Sequence, residues 1–480
     1  MPYDKYETVI GLEIHVQLAT QSKAFCGDDA SFGGEPNTYI SPISLGHPGT
    51  LPRLNRRQVE FAVCLGLALG SRINLTNAFD RKNYFYADLP KGYQATQDRQ
   101  PICVGGGLDI QVGEALKTVR IHHIHMEEDA GKSIHDAGEP FSRIDLNRAG
   151  VPLLEIVSEP DLRSAEEVDA YMSAMRQLVR YLGVSDGNME QGSMRCDCNV
   201  SVRLKGSEKL GERCEIKNLN SMRYARRAID YEVKRQVDLL EAGRRVEQQT
   251  LNFDPATGIT APLRDKEDAH DYRYFPEPDL PPVVLSPEYV EAVRRSLPAL
   301  PWEVYSSMMN EYGLPAYDAS LLAEERPTAL FFQELCRHTG NYKAAANLII
   351  NKALPYCNEN SIDITAFPVS HEQLAAFIQL IDDGKVANAV AYQHLFPILA
   401  ENPGRAPLEI AQSLNLIQTS DEGLLEKLAD EVLAANPEEV ERYRKGKKGL
   451  MGFFMGEVMK ASKGKADPKV VSGILRGKLG

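Results

Sequence analysis

Cysteine is scarce in this chain, with eight residues spread over 480. They are too few and too irregularly spaced to make a disulfide framework. Only Cys196 and Cys198 lie close together, and a separation of two puts both thiols on one face of a strand, where free cysteines pack as small apolar residues. Long apolar runs are missing too. Nothing approaches the roughly 18 consecutive apolar residues of a membrane span, so no membrane association is expected. The opening MPYDKYETVIGLEI lacks a basic segment followed by an apolar one, which argues against a secretory signal and for a cytoplasmic protein.

Several catalytic signatures are also absent. There is no Gly-x-Ser-x-Gly elbow, Cys64 sits in Ala62-Val63-Cys64-Leu65-Gly66 rather than in a nucleophile turn, and no Gly/Ser-rich amidase stretch occurs. Amide hydrolysis by this chain is therefore not expected. Ala130-Gly131-Lys132-Ser133 looks like the end of a phosphate-binding loop, but Met126 stands in the place of the first glycine and carboxylates precede the motif. Val104-Gly105-Gly106-Gly107-Leu108 is no dinucleotide fingerprint and reads as a turn.

What is present is an ordinary soluble composition, 43% hydrophobic and 25% charged, in a chain long enough for two or three domains. The charge is unevenly distributed. Eleven Lys/Arg against Glu441, Glu457 and Asp467 give residues 440–480 a net charge of +8, so the total of -13 leaves -21 for the rest. A basic terminus on an acidic body is the pattern of a protein that grips a polyanion at one end; a solvated basic tail is the plainer alternative.

The first 285 or so residues mix strand and helix patterns. In the stretch 8–18, Ile10, Leu12, Ile14, Val16 and Leu18 alternate with Glu13, His15 and Gln17, predicting a half-buried strand with a carboxylate, an imidazole and an amide along its polar face. Residues 195–204 alternate likewise, with Arg195, Asp197, Asn199, Ser201 and Arg203 on the polar side. Ser164 and Glu167 form a capping-box pattern ahead of an apolar stripe that stops at Gly183, and a second helix runs from about Ser221 to Ala242, with Gly243 ending it. Without a regular strand-helix alternation, an α+β domain with a mainly antiparallel sheet is expected rather than a doubly wound one. The Pro-rich stretch 275–282 marks its end, Ser286-Pro287 opens a helix, and from there on the periodicity is helical. Asn402-Pro403-Gly404 breaks that half again. The expected division is a cradle domain over 1–294, an all-helical domain over 295–405 and a small basic helical tail over 406–480.

Carboxylates occur where a fold normally avoids them. Glu155 interrupts the apolar run Val151 to Val157, so it must meet a base, a cavity or a metal. Glu127, Glu128 and Asp129 crowd together and ask for a cation. With Glu13 and His15 they make an oxygen-rich cation site that suits magnesium, the imidazole leaving manganese or zinc open. Lys82, Arg195, Lys217 and Arg273, with Arg81, supply positive charge. Acids for a metal and bases for phosphate oxygens are the kit of phosphoryl transfer.

Taken together, Ile10 to Leu18, Asp80 to Tyr86, His125 to Lys132, Glu155 to Asp161, Gly192 to Asp197, Glu215 to Ser221, Asp271 to Asp279 and the tail motif Lys460 to Gly464 resemble, in order and over the whole length, the B subunit family of bacterial-type aspartyl/glutamyl-tRNA amidotransferases. The resemblance implies a cradle that uses ATP and Mg2+ to phosphorylate the side-chain carboxylate of Glu or Asp mischarged on tRNA(Gln) or tRNA(Asn). Ammonia then comes from a separate glutamine amidase (A) subunit, with a small C subunit completing a heterotrimer. It implies metal ligands at Glu13, His15, Glu128 and Glu155, with Asp197 close by in the catalytic set. It implies a tail that engages tRNA, here expected through Lys445, Lys447, Lys448, Lys460, Lys463 and Lys465. Lys82, Arg195, Lys217 and Arg273 are assigned to phosphates or the tRNA end. A non-catalytic, tRNA-binding scaffold is the alternative function. Some relatives carry a Cys-x-Cys and Cys-x-x-Cys pair resembling a zinc site; here Cys26 is followed by Asp28, and Ser41 and Ser44 replace the second pair, so no structural zinc is expected.

Overall fold

The computed structural model describes residues 2–135, 139–262, 272–418, 422–462 and 466–480. The chain divides into two compact units, one ending at Pro301 and the other beginning at Trp302, a few residues beyond the expected cradle boundary.

The first unit is built on β1 (Tyr6–Gln17), β2 (Arg72–Ile73), β3 (Asp80–Asn83), β4 (Tyr93–Thr96), β5 (Cys103–Val104), β6 (Gly107–Val112), β7 (Ala115–Glu128), β8 (Pro152–Ser158), β9 (Met194–Leu204), β10 (Cys214–Leu219), β11 (Gln249–Asp254), β12 (Ile259–Pro262) and β13 (Arg273–Pro276). Among the described residues, ten of these strands form one sheet in the order β12-β11-β10-β9-β1-β8-β7-β5-β2, with β6 paired to β7. All its pairs are antiparallel except β10–β11, which are joined across a helix. The α+β architecture expected from the sequence is therefore the one observed. Gly105 and Gly106 turn the chain between β5 and β6 at positive φ, and a Cβ on Gly106 would lie 2.5 Å from the Leu69 carbonyl oxygen.

One face of the sheet is apolar and covered. Ile10, Leu12, Ile14 and Val16 of β1 share a core with Phe61, Ala62 and Leu65 of α1 (Arg56–Ala68), Met172, Met175 and Leu178 of α2 (Ala165–Tyr181), and Ala225, Ala228 and Ile229 of α3 (Met222–Glu241). Cys196 and Cys198 are buried there, as their spacing suggests. The helix ends follow local chemistry. Ser164 accepts from the Glu167 amide to cap α2, Ser221 caps α3, and Ser286 caps α4 (Pro287–Ser296) with Pro at its first turn. The capping box at α2 does not close on itself, because the Glu167 carboxylate takes the Arg163 amide at 2.6 Å and the Lys117 ammonium at 2.7 Å. A small second sheet, β13-β3-β4, has β13 at its edge, which is why Pro276 can end that strand.

Beyond Val284 every described element is helical. Within the second unit, α5 (Glu422–Ala435), α6 (Pro437–Arg444), α7 (Met451–Ala461) and α8 (Pro468–Leu479) close around a core of their own that includes Leu425, Ala429, Phe454, Val458, Val471 and Leu475. Among the described residues no helix is long and apolar enough to cross a membrane.

Candidate active site

The other face of the large sheet is polar, and its chemistry follows from strand register. Opposite residues in an antiparallel pair share a face, and β1 aligns His15 with Glu155 of β8 on one side and with Arg195 of β9 on the other. Glu155 in turn aligns with His125 of β7. Two residues along β7, Glu127 points the same way. The result is a cluster in which His15 Nε2 lies 3.2 Å from Glu155 Oε2 and 3.6 Å from Glu127 Oε1. His125 Nε2 lies 3.3 Å from Glu155 Oε2 and 3.6 Å from Glu127 Oε2.

Burial by itself would strip the protons from both imidazoles, but Glu155 and Glu127 overcome it, raising His15 above the ordinary range and His125 to about 10. Burial pushes the Glu155 carboxyl up, and the two histidines pull it well below its ordinary value. Glu13, aligned with Asp197 and held by Asn199 Nδ2 at 2.9 Å, is pushed up by burial and by Glu155 and Glu215. His15, Glu127 and Glu155 each present one ligand atom, all within 4.8 Å of one another. Two carboxylates and an imidazole suit a divalent cation of the magnesium, manganese or zinc kind.

Of the four expected ligands, the structure brings His15 and Glu155 together, keeps Glu13 on the same face beside Asp197, and turns Glu128 away. The reason is parity. Glu127 and Glu128 are adjacent in a strand, so their side chains leave opposite faces. Glu128 is ion-paired with Lys91, accepts from the Ala95 amide at 2.9 Å, and borders a cavity of about 290 Å³ that Arg81, Tyr93 and Cys26 also line. Glu127 takes its place in the cluster. Neither Glu127 nor His125 stands among the ligands that the resemblance implies. The alternation His123, His125, Glu127 is visible in the sequence, but the register that sets it against Glu155 is not.

The cationic residues are distributed around this cluster. Arg195 holds Asp129 at 2.8 Å, and Lys217 holds Asp197 at 3.3 Å and Glu215 at 2.8 Å. Lys82 of β3 lies 4.6 Å from the centre of the Tyr272 ring. Burial would lower its pKa, but Glu127, Tyr274 and Glu155 together raise it, which places its ammonium within electrostatic reach of the cluster. Arg273 aligns with Asn83, one residue out of step with Lys82, and is exposed on the opposite side of the small sheet. Arg81 is committed to Glu277, through two contacts of 2.8 Å, and to Asp279 at 2.9 Å.

The four positions that resemble a zinc site do converge. Ser44 Oγ donates to Asp28 Oδ2 at 2.6 Å and accepts from the Ser41 amide at 2.9 Å, and Cys26 is the one soft donor among hard ones. In the tail, Lys445, Lys447, Lys448 and Lys460 are exposed, while Lys463 and Lys465 lie outside the described residues. Asp271, at the start of the Asp271 to Asp279 motif, lies outside them as well.

The chain is similar to proteins of one kind throughout its length. Residues 8–291 match the family model described as GatB/GatE catalytic domain, and residues 330–479 match that of the GatB domain. The B subunit of the aspartyl/glutamyl-tRNA(Asn/Gln) amidotransferase of Myxococcus xanthus (strain DK1622) is 50% identical over 480 residues, covering 100% of both chains. The protein of the same name from Trichlorobacter lovleyi is 50% identical over 475 residues, 99% of each chain, and that of Persephonella marina is 47% identical over 473 residues, 98% of this chain and 99% of its own. With both halves matched by family models and half the residues shared with full-length relatives, the chain belongs to the family of aspartyl/glutamyl-tRNA(Asn/Gln) amidotransferase B subunits.

Proposed function

We propose that this chain is the ATP-dependent subunit of a tRNA-dependent amidotransferase, a carbon-nitrogen ligase that takes its amido group from glutamine. Its substrates are Glu-tRNA(Gln), Asp-tRNA(Asn) or both. It works in the cytoplasm in a heterotrimer with a glutamine amidase (A) subunit and a small C subunit. The observation that carries this reading is the meeting of His15, Glu127 and Glu155 on the polar face of a sheet whose remaining polar positions are rich in Arg and Lys.

A carboxylate is a poor electrophile, so amidation needs a leaving group. One side-chain oxygen of the mischarged residue attacks the γ-phosphorus of ATP, ADP departs, and an acyl phosphate forms. Ammonia then adds to its carbonyl carbon, inorganic phosphate leaves, and one proton is lost as the amide forms. His15, Glu127 and Glu155 would hold Mg2+, with Glu13 and Asp197 behind them. The ion, when bound, neutralises phosphate oxygens. Lys82 stands at the edge of the cluster, where it can meet a phosphate without first giving up a carboxylate hydrogen bond. Arg195 and Lys217 are held by Asp129, Asp197 and Glu215, which fixes their head groups on the same face and lets them exchange one anion for another. The absence of nucleophile-elbow and amidase signatures from the sequence supports a separate source of ammonia.

A scaffold that only binds tRNA would gain nothing from burying two carboxylates against two imidazoles, since such burial is costly. The deciding experiment is co-purification with an amidase partner and an assay with glutamine, ATP and mischarged tRNA. Phosphate release that requires both the tRNA and this chain supports the reading; amidation that proceeds without ATP would overturn it.

A further inference from the structure

The small sheet beside the cluster carries an unusual surface. Strand β3 runs into Tyr84-Phe85-Tyr86, and β13 begins just after Tyr272. Because Lys82 aligns with Tyr274, the alternation puts Lys82, Tyr84 and Tyr86 on one side with Tyr272 and Tyr274, while Arg81, Arg273 and Phe275 go to the other. The four tyrosines make a continuous edge-to-face row. Ring centres are 5.7 Å apart for Tyr86–Tyr84, 5.6 Å for Tyr84–Tyr272 and 6.4 Å for Tyr272–Tyr274.

This row is pinned at its second ring, and Tyr86 beyond it is open. Tyr84 is half-buried and donates its hydroxyl to Gln94 Oε1 at 3.2 Å, whereas Tyr86 and Tyr272 are 47% exposed and Tyr274 is 38% exposed. Large aromatics left in water in a contiguous patch mark a binding surface. Its chemistry is specific, for the ammonium of Lys82 sits 4.6 Å from the Tyr272 ring centre, in the half of the row that faces the Glu127 and Glu155 charges. Aromatic faces followed by a cation are how proteins hold unpaired nucleotides, with a ring for each base and a positive charge for the backbone. A nucleotide cofactor usually sits in an enclosed pocket that buries most of it. An exposed row of several rings, with its cation in that half, fits the free end of a longer strand better.

We propose that Tyr84, Tyr86, Tyr272 and Tyr274 form a stacking platform for the unpaired 3′ end of the acylated tRNA, with Lys82 against its last phosphates. The terminal bases lie along the row, and the esterified amino acid continues past Lys82 to the carboxylate and imidazole cluster. This assignment rests on the tRNA-dependent reading above, and it names the residues that position the substrate.

The test uses the full complex and two substitutions, Tyr272→Leu and Tyr86→Leu, each with its Phe counterpart. Deacylated tRNA and the same tRNA trimmed of its three unpaired 3′ nucleotides are compared in binding, and KM values for mischarged tRNA and for ATP are measured in amidation. The native complex should bind trimmed tRNA about tenfold more weakly, in line with the loss of base stacking on aromatic side chains. Each Leu variant should shrink that ratio toward one and raise KM for tRNA about tenfold without changing KM for ATP. The Phe variants, which keep the ring, should behave like the native protein. If the Leu variants keep the native trimming ratio, the platform assignment is wrong. If they raise KM for ATP alone, the rings hold the ATP base instead and the assignment falls. Tyr86 lies at the open end of the row, so its variant reports even if Tyr272→Leu does not fold. A native complex without amidation activity would overturn the functional reading, while the trimming ratio would still decide the platform.

Discussion

His15 and Glu155 face one another across the β1–β8 ladder, with Nε2 3.2 Å from Oε2, although 140 positions separate them in the chain. That contact joins two residues that belong both to the expected ligand set and to the cluster that could hold a metal ion. Replacing Glu155 by Gln keeps the shape and removes the charge. If Glu155 holds Mg2+ as proposed, amidation should fall by at least about 100-fold, because losing a metal ligand removes several kcal/mol of charge stabilisation. Binding of tRNA should change by less than about threefold, since no tRNA contact is lost. Turnover and tRNA affinity measured on the same preparation decide the matter, and parallel losses would mean that Glu155 serves the fold.

Glu127 and Glu128 offer a sharper comparison, because one residue of register separates the carboxylate proposed to hold the metal from one that faces Lys91. Glu127→Gln should weaken Mn2+ binding by about 10-fold or more, as expected for a lost ligand. Glu128→Gln should leave Mn2+ affinity within about twofold, since its carboxyl faces Lys91 and the Ala95 amide rather than the cluster. It should instead lower stability by about 1–3 kcal/mol, the cost of leaving a mostly buried ammonium without its counter-charge. Calorimetric titration of Mn2+ and a denaturant melt on each variant separate the two roles. A loss of Mn2+ binding in Glu128→Gln would restore the expectation drawn from sequence.

The half-buried thiols give a pH-dependent prediction. Burial pushes Cys26 and Cys64 up to about 11 and Cys336 to about 12. The thiolate is the reactive form, so alkylation of the native protein at pH 8 should be at least about tenfold slower than that of the unfolded chain. It should accelerate about tenfold per pH unit until the folded pKa is reached. The same shift carries a stability term with a definite sign. A thiol pKa raised on folding contributes stability that is fully present below the unfolded value and is lost as pH rises through the folded one, between about 9 and 11 for Cys26. Rapid labelling of Cys26 at pH 8, followed by mass spectrometry, would contradict this burial.

Much of the architecture could be read from the sequence because its signals are local. The alternation of β1 and β9, the Ser caps of three helices and the helical second half each depend on residues a few positions apart. The Pro-rich stretch at 275–282 is local too, and in the fold Pro276 closes an edge strand within a unit that continues to Pro301. In the site, His15 and Glu155 stood out because a polar face and an interrupted apolar run can be seen in one dimension. Choosing between Glu127 and Glu128 required knowing which face of β7 meets β8, and cross-strand register is set by pairing between distant segments. The same limit applies to Lys82 and Arg273, whose opposite faces follow from the β3–β13 alignment.

The basic tail completes the reading by electrostatics. Its core, around Leu425, Phe454, Val458 and Leu475, leaves Lys445, Lys447, Lys448 and Lys460 exposed, so replacing them does not disturb packing. If the tail holds tRNA, each lysine that neutralises a phosphate releases counterions, and the logarithm of affinity falls with the logarithm of salt by about 0.9 per contact on a duplex. Changing all four to Ala should therefore lower that slope by up to about 3.6, with the affinity loss largest at low salt. Lys445 is also paired with Glu441 at 2.6 Å, and Lys448 stands over the Tyr443 ring at 4.4 Å. Those two already have partners in the free protein, so they should contribute less than Lys447 and Lys460. Affinities measured at four or five salt concentrations for the quadruple variant and for each single Lys→Ala change give the ordering. A slope equal to that of the native protein would mean that the tail charges serve solubility and that tRNA is held elsewhere.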